Sequence, residues 1–402
     1  MTQPTTSATV IPYGRQSIDA SDIAAVVAVL ESDWLTQGPA IPRFEQTVAD
    51  WCGAPHAVAA SSATTALHLA CRALGLGPGG LLWTSPNTFV ASANCARYCG
   101  ADVDFVDIDP ATFTMSVAAL DAKLADAERR GRLPQIVVPV HFAGQPCDMA
   151  AIGALAQRYG FAVIEDAAHA IGAERGGERT GACTHSDLTV FSFHPVKIVT
   201  TGEGGMLLTR RADLHERLVL LRSHGITRDP AKMREAPDGD WHYQQIELGY
   251  NYRMTDLQAA LGASQMARLP AFLTRRRALA ARYRDAFAAW PIACQAQPDD
   301  VASAWHLFPV LIDPARCGVD RRTVFDRLRA AGIGVNVHYI PVHTQPDFRD
   351  LGFRPGDFPA AERYYAQTLS LPLYAGLDDA RQDRVIAALA AALGLSGRGR
   401  HP

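Results

Sequence analysis

Phe191-Ser-Phe-His-Pro-Val-Lys-Ile-Val-Thr-Thr-Gly-Glu-Gly-Gly205 is the stretch around which the rest of the chain is organised. Leu188, Val190, Phe191 and Phe193 make an apolar strand, Lys197 follows its end, and Gly202, Gly204 and Gly205 come next. Glycine in such a place lets backbone pass close to something bulky. A lysine held at a strand end can lose its proton by desolvation and attack a carbonyl as a free amine. Lys197 is one of few lysines in an arginine-rich chain. Taken alone, it reads better as a solvated surface lysine beside a tight turn. Three distant stretches reverse that reading.

The first is Val163-Ile-Glu-Asp166-Ala-Ala-His169, where an apolar strand ends in carboxylates. Open α/β sheets bind ligands at the C-terminal ends of their strands. A carboxylate there can keep a pyridine nitrogen protonated, which is what makes pyridoxal phosphate an electron sink. Asp166 precedes Lys197 by 31 residues (197 − 166). By itself Asp166 also fits a helix N-cap. The second is Ala60-Ser61-Ser62-Ala63-Thr64-Thr65, small hydroxylated residues that follow a strand-like run and open a helix. Free amides at a helix start, with hydroxyls beside them, suit a phosphate. Hydrogen bonds to a charged group contribute ~1.5–3 kcal/mol each, more than the ~0.3–1 kcal/mol of an exposed helix dipole. The third, Thr84-Ser-Pro-Asn-Thr-Phe89, carries an aromatic to a helix start, where it could lie on a flat ring or simply belong to the core.

In this order the four stretches resemble the DegT/DnrJ/EryC/StrS sugar aminotransferases over nearly the whole chain. The resemblance implies a fold-type I pyridoxal phosphate aminotransferase: a large α/β domain with a mainly parallel mixed sheet, and a smaller α+β C-terminal domain. It implies pyridoxal 5′-phosphate as cofactor, with Lys197 and Asp166 catalytic. Lys197 would bond to the cofactor and shuttle a proton, and Asp166 would pair with the ring nitrogen. His169 would reach the phenolic oxygen, Phe89 would stack on the ring, and Ala63, Thr64 and Ser192 would hold the phosphate. Ala63 stands where many relatives have glycine. Asn251, in Leu248-Gly-Tyr-Asn251-Tyr-Arg253, would reach the phosphate of a partner subunit, so the active unit is expected to be a homodimer with shared sites.

Substrate residues are sought in loops with polar or aromatic tips, which often carry function on a rigid scaffold. Tyr13, Arg15, Gln37, Arg228, Arg253 and His338 are the candidates. Guanidinium groups suit diphosphate oxygens, and each arginine also fits a structural ion pair. These loops resemble the branch that aminates C4 of a UDP-linked 4-keto-6-deoxy-N-acetylhexosamine on the route to pseudaminic acid, with L-glutamate as the amino-acid donor. Alternatives are a 4-aminoarabinose-type transferase acting on a UDP-4-ketopentose and a pyridoxal phosphate-binding regulator without turnover. The family's dehydratase branch has histidine in place of Lys197. No glycine fingerprint opens a helix as in a Rossmann dehydrogenase.

Composition agrees with a globular enzyme. The 402 residues are 48% hydrophobic and 20% charged, with a net charge of −3. That length allows two domains, and the absence of any basic run argues against nucleic acid. No apolar run approaches membrane-spanning length, and Met1 to Val10 lacks a signal-peptide pattern. The eight cysteines show no paired spacing and read as reduced cytoplasmic thiols. Cys95 and Cys99 stand one helical turn apart as packing residues. None of the 13 histidines pairs at a metal-ligand spacing.

Apolar runs at 56–60, 80–84, 102–106, 135–140, 161–165, 187–193 and 205–208 alternate with helical patterns, as a parallel sheet covered on both faces requires. Helices are expected from Ser21 to Leu30, then after a turn at Trp34 to Pro39 on to about Trp51, and again from Leu257 to Ala267 and from Pro270 to Ala289. Asp229 to His242 reads as a polar loop. Strands near 305–312 and 333–338 and helices near 321–331 and 380–394 make the C-terminal domain. The division is placed as 1–265 and 266–402.

Overall fold

A computed structural model describes residues 10–395; the N-terminal stretch read against a signal peptide lies outside them, Val10 apart. Seven strands form the central sheet: β1 (His56–Ala60), β2 (Leu81–Thr84), β3 (Asp102–Phe105), β4 (Ile136–Val138), β5 (Ala162–Asp166), β6 (Leu188–Ser192) and β7 (Gly205–Thr209). Their order is β1-β7-β6-β5-β4-β2-β3. Only β7 runs antiparallel to its neighbours. All seven runs read from the sequence are strands, within a residue or two at their ends.

Alternation along each strand sorts side chains onto two faces. Val58, Leu82, Ile136, Val138, Ile164, Leu188, Val190 and Leu207 pack with helices α3 (Ala63–Ala73), α4 (Ala91–Tyr98) and α7 (Ala212–Arg222). On the other face, Trp83, Val137 and Val163 meet α5 (Val117–Arg129) and α6 (Met149–Tyr159). Phe191, Met206 and Leu208 meet α2 (Ala40–Cys52) and α8 (Asp256–Phe287) there. The same parity decides the chemistry: Asp166 and Ser192 continue the series of Ile164 and Val190 and face α3 and α4. Glu165 turns the opposite way, into a buried network with His141 at 2.7 Å and Thr189 at 2.9 Å.

Helix α1 (Ala20–Leu30) starts at a capping box on Asp19 and Asp22 and packs on α8. Helix α2 has no side-chain cap of its own. Asp256, 1% exposed at the start of α8, accepts the Gly38 and Ala40 amides at 2.8 and 2.9 Å instead.

Where the sequence suggests two helices, α8 is one helix of 32 residues with Pro270 inside it. Proline there removes one hydrogen bond, to Met266, and usually kinks or breaks a helix. Burial holds the two halves together: Met266, Leu269, Phe272 and Leu273 join the large core, and Leu279, Tyr283 and Phe287 the small one. The division drawn at 265/266 therefore falls within a continuous helix. Arg276 on α8 is 2% exposed and faces three carbonyls, of Trp305, His306 and Leu373, at 3.0–3.3 Å. It ties the two chain segments to α8.

The C-terminal part holds an antiparallel sheet of Ala293–Cys294, Phe308–Leu311 and Thr368–Leu371, backed by helices Arg321–Ala330 and Asp379–Ala392. The strand expected near 333–338 is not formed. Ile333 bridges Ile11 and Asn336 bridges Ser370, so the segment divides its pairing between two partners. The sheet's other two strands, Ala293–Cys294 and Thr368–Leu371, are ones the sequence reading passes over. The segment 229–242 holds only a short 3-10 turn, Pro230–Lys232.

Candidate active site

The C-terminal ends of β1, β2, β4, β5 and β6 and the start of β7 open on one edge of the sheet. A cavity of about 550 Å³ lies there. Tyr13, Ala63, Thr64, Phe89, Asp166, His169, Ser192, Lys197 and His338 line it. Asn251, Arg15, Gln37, Arg228 and Arg253 do not. Arg15 and Gln37 are exposed, and Arg228 stacks over Tyr243 at 5.8 Å. Asn251 is exposed, its backbone bridged to Ser223.

Lys197 closes a turn after β6, its amide donating to the His194 carbonyl at 2.9 Å. Of the chain's three lysines, Lys123 pairs with Asp104 and Lys232 with Glu216. Among the described residues, the Lys197 ammonium has no ion-pair partner. Burial lowers its pKa to about 8 against the opposing pull of the Asp166 carboxylate. At pH 7 roughly a tenth of Lys197 is then neutral, against well under a thousandth for an ordinary lysine. Acylating the apoprotein across a pH series and mapping the three lysines tests this. Labelling of Lys197 should level off just above pH 8 and that of Lys232, whose pKa is raised, only above pH 10; a common midpoint contradicts the assignment.

Asp166 is not a helix N-cap, since a turn rather than a helix follows it. Its carboxylate accepts the Ser92 hydroxyl at 2.5 Å and the Ala168 amide at 3.1 Å. Thr88 lies 2.7 Å from Ser92 and supplies the next hydrogen of the chain. The carboxylate is thus fixed on both oxygens and, among the described residues, pairs with no cation.

His169 takes the Ala143 amide on Nδ1 at 3.3 Å, and its Nε2 is 3.2 Å from the Tyr339 hydroxyl. Burial first, then Lys197 and His338, pushes its pKa well below the usual histidine value. It is a neutral ring, and the amide on Nδ1 assigns its proton to Nε2. His306, 4.4 Å away between ring centroids, is likewise held neutral by burial. Burial and Lys197 bring His338 down to about 3. These rings can donate or accept hydrogen bonds but add no charge near neutral pH.

Ser62 caps α3 in a capping box with Thr65, so the N-cap reading and the phosphate reading of this turn both apply. The Ala63 and Thr64 amides find no acceptor among the described residues. Gly205 explains how β7 fits beneath: a Cβ there would stand 2.4 Å from the Ser62 carbonyl oxygen and 2.7 Å from the Ala63 nitrogen. Gly202 instead supplies a φ of +78°, which other residues rarely adopt. Phe89 leaves 58% of its surface open to the cavity.

These features fit pyridoxal phosphate: free amides at one end, an anchored carboxylate at the other, a half-desolvated amine, and an uncovered aromatic face. Ser92, Tyr339, His306, His194 and Glu203 also line the cavity and escaped the sequence reading. Ser92 lies on α4, one helical turn past Phe89, and Tyr339 directly follows His338, so both adjoin residues that were singled out. His306 carried no signal; its approach to His169 depends on the fold.

A family model described as the DegT/DnrJ/EryC1/StrS aminotransferase family matches residues 16–390. The spore coat polysaccharide biosynthesis protein SpsC of Bacillus subtilis is 41% identical over 382 residues, covering 94% of this chain and 96% of that one. PseC of Helicobacter pylori, an aminotransferase involved in the biosynthesis of pseudoaminic acid, superposes with a TM-score of 0.88 at 26% identity, over 96% of this chain and 100% of that one. The PMP form of Spr1654 from Streptococcus pneumoniae gives 0.86 at 29%, over 96% and 99%. With this site and this fold, the chain belongs to the DegT/DnrJ/EryC1/StrS aminotransferase family and is a pyridoxal phosphate-dependent sugar aminotransferase.

Proposed function

We propose that the enzyme moves an amino group from L-glutamate to C4 of a UDP-linked 4-keto-6-deoxy-N-acetylhexosamine, on the route to pseudaminic acid. The observation that carries this reading is the likeness to the Helicobacter pylori enzyme over its entire length. A second reading, another nucleotide-linked ketosugar, is supported by the 41% identity to the spore coat polysaccharide protein.

Bound pyridoxal phosphate supplies the electron sink. Lys197 carries the proton to and from the reacting carbon, which a pKa near 8 suits at neutral pH. Asp166 keeps the ring nitrogen protonated. His169 would turn its Nε2 proton from the Tyr339 hydroxyl to the phenolic oxygen, and Phe89 would cover the ring and exclude water. The Ala63 and Thr64 amides and the Ser192 hydroxyl hold the phosphate. Tyr13 and His338, whose rings lie 5.3 Å apart, form the substrate side of the cavity.

A UDP-sugar also needs cations, and among the described residues no arginine lines the cavity. Arg228, Arg253 and Asn251 stand outside it, near one another in sequence and available to a second copy. The functional unit in this reading is a homodimer whose subunits complete each other's sites. Mixing Lys197→Ala with Asn251→Ala subunits tests it: some mixed dimers hold one site with both lesions and one with neither. Activity should exceed that of either parent. No gain, despite demonstrated subunit exchange and a weakly active Asn251→Ala parent, rejects the shared site.

Among the described residues no helix is long and apolar enough to cross a membrane, and all eight cysteines are free. Both fit the cytoplasm, where UDP-sugars are made. Substrate choice is decided by kcat/KM for the UDP 4-keto-6-deoxyhexosamine against UDP-4-ketoarabinose, with L-glutamate as donor. An N-acetyl group read by cavity hydrogen bonds should give at least a hundredfold preference, about 2.7 kcal/mol. Equal values, or preference for the pentose, assign the enzyme to the other branch.

A further inference from the structure

Glu165 and His141 are buried and titratable, yet neither lines the cavity. The Glu165 carboxylate takes the Ser186 and Thr189 hydroxyls on one oxygen. On the other it takes the His141 Nε2 proton, at 2.7 Å. Burial would raise its pKa, and hydrogen bonds from His141, Ser186 and Thr189 bring it below the ordinary glutamate value instead. The far side of the His141 ring has a different partner: Nδ1 accepts the Cys147 amide at 3.1 Å. Burial disfavours a second proton on this ring, and the Cys147 and Glu165 side chains draw its pKa upward. That proton would have to sit on Nδ1, against the amide, so the geometry keeps the ring neutral with its proton on Nε2. One imidazole thus ties β5 to both ends of the turn 141–147.

Within that turn Ala143 has a φ of +60°, the left-handed region that side chains rarely adopt. Such a conformation persists only where its surroundings over-determine it. The Ala143 amide donates to His169 Nδ1 at 3.3 Å. Its carbonyl accepts the His306 amide at 2.9 Å, and the Gly144 carbonyl accepts the Ala304 amide at 2.9 Å. Two imidazoles of the cavity, His169 and His306, therefore hang on one strained residue, 4.4 Å apart between ring centroids.

We propose that His141, anchored by Glu165, is a positioning residue: it holds the turn that keeps the His169 proton on Nε2 and seats His306 beside that ring. With the Ala143 amide on Nδ1, His169 has one proton to give, and it lies on the side of the Tyr339 hydroxyl. Losing His141 frees the turn to relax from its left-handed residue, and both cavity rings lose their common support. The consequence for catalysis rests on the reading that His169 serves the cofactor's phenolic oxygen; the positioning itself does not.

The test uses the full chain freed of cofactor and carrying His141→Phe, which keeps a planar ring and deletes both nitrogens. Amide hydrogen exchange, read by mass spectrometry, should quicken at least about tenfold in peptides covering 141–147 and 303–307 and stay as in wild type in α5. Exchange of the His169 C2 hydrogen across a pH series should show its pKa moving upward, because Nδ1 loses the amide that favours the neutral ring. Glu165→Gln, with one acceptor oxygen for three donors, should loosen the same peptides to a smaller extent. Should His141→Phe fold poorly, His141→Gln serves: it keeps a donor for Glu165, gives up the acceptor for the Cys147 amide, and should loosen the same peptides. Loosening spread evenly over the chain, or a His169 pKa that does not move, overturns the proposal. The role of His169 is tested apart, by His169→Phe in the holoenzyme: an unchanged cofactor absorbance rejects that role and leaves the positioning intact.

Discussion

Replacing Lys197 by alanine should lower turnover by about 10⁴-fold or more and abolish the visible absorbance of the bound cofactor. General acid–base groups contribute up to about 10⁴-fold, and this lysine has no understudy. Lys123 and Lys232 are engaged by Asp104 and Glu216. Three histidines of the cavity, His169, His306 and His338, are neutral and shifted downward. The substitution deletes a partly accessible side chain at a turn and leaves β6 and its core untouched, so far-ultraviolet circular dichroism should not change. A folded Lys197→Ala protein that still turned over within tenfold of wild type would remove Lys197 from the mechanism.

Asp166→Asn should fold normally and react about a hundredfold more slowly or worse, a barrier at least about 2.7 kcal/mol higher. The asparagine oxygen can still accept the Ala168 amide, while its NH2 donates to a Ser92 hydroxyl whose own hydrogen turns to the Phe89 carbonyl, so residue 166 keeps its place. What it lacks is the negative charge that keeps a pyridine nitrogen protonated. The loss should therefore appear in kcat, with KM little changed, because the substrate contacts are elsewhere. Stopped-flow absorbance of each half-reaction reads it directly. A rate within about tenfold of wild type, ~1.4 kcal/mol or less, would mean that the carboxylate serves only to orient its neighbours.

Lys197, Asp166, Ala63 and Thr64, which line one cavity, were legible as candidates because strand ends and helix starts are local signals. Lys197, Asp166 and the Ser62–Thr64 turn each follow an apolar run whose period announces a strand, and each strand end opens on the same edge. The substrate residues were not legible in this way. Tyr13 and His338 line the cavity while Arg15 and Gln37 do not, although all four belong to similar loops. Gln37 is placed by Asp256, whose carboxylate holds the turn after it against α8. No pattern within residues 34–39 records a partner some 220 positions away.

By itself the sequence determined the seven strands, their burial on both faces, and the opposite directions in which neighbours such as Glu165 and Asp166 point. These follow from side-chain period and backbone sterics, which act over a few residues. The tertiary structure decided the rest. It carried α8 through Pro270, because apolar contacts on both sides outweigh one lost hydrogen bond. It divided residues 333–336 between Ile11 and Ser370 where an isolated strand was expected. It brought His306, through Arg276, against His169. Each of these depends on groups distant in the chain meeting in a low-dielectric interior, where an unmet hydrogen bond or a lone charge is costly enough to select one packing over another.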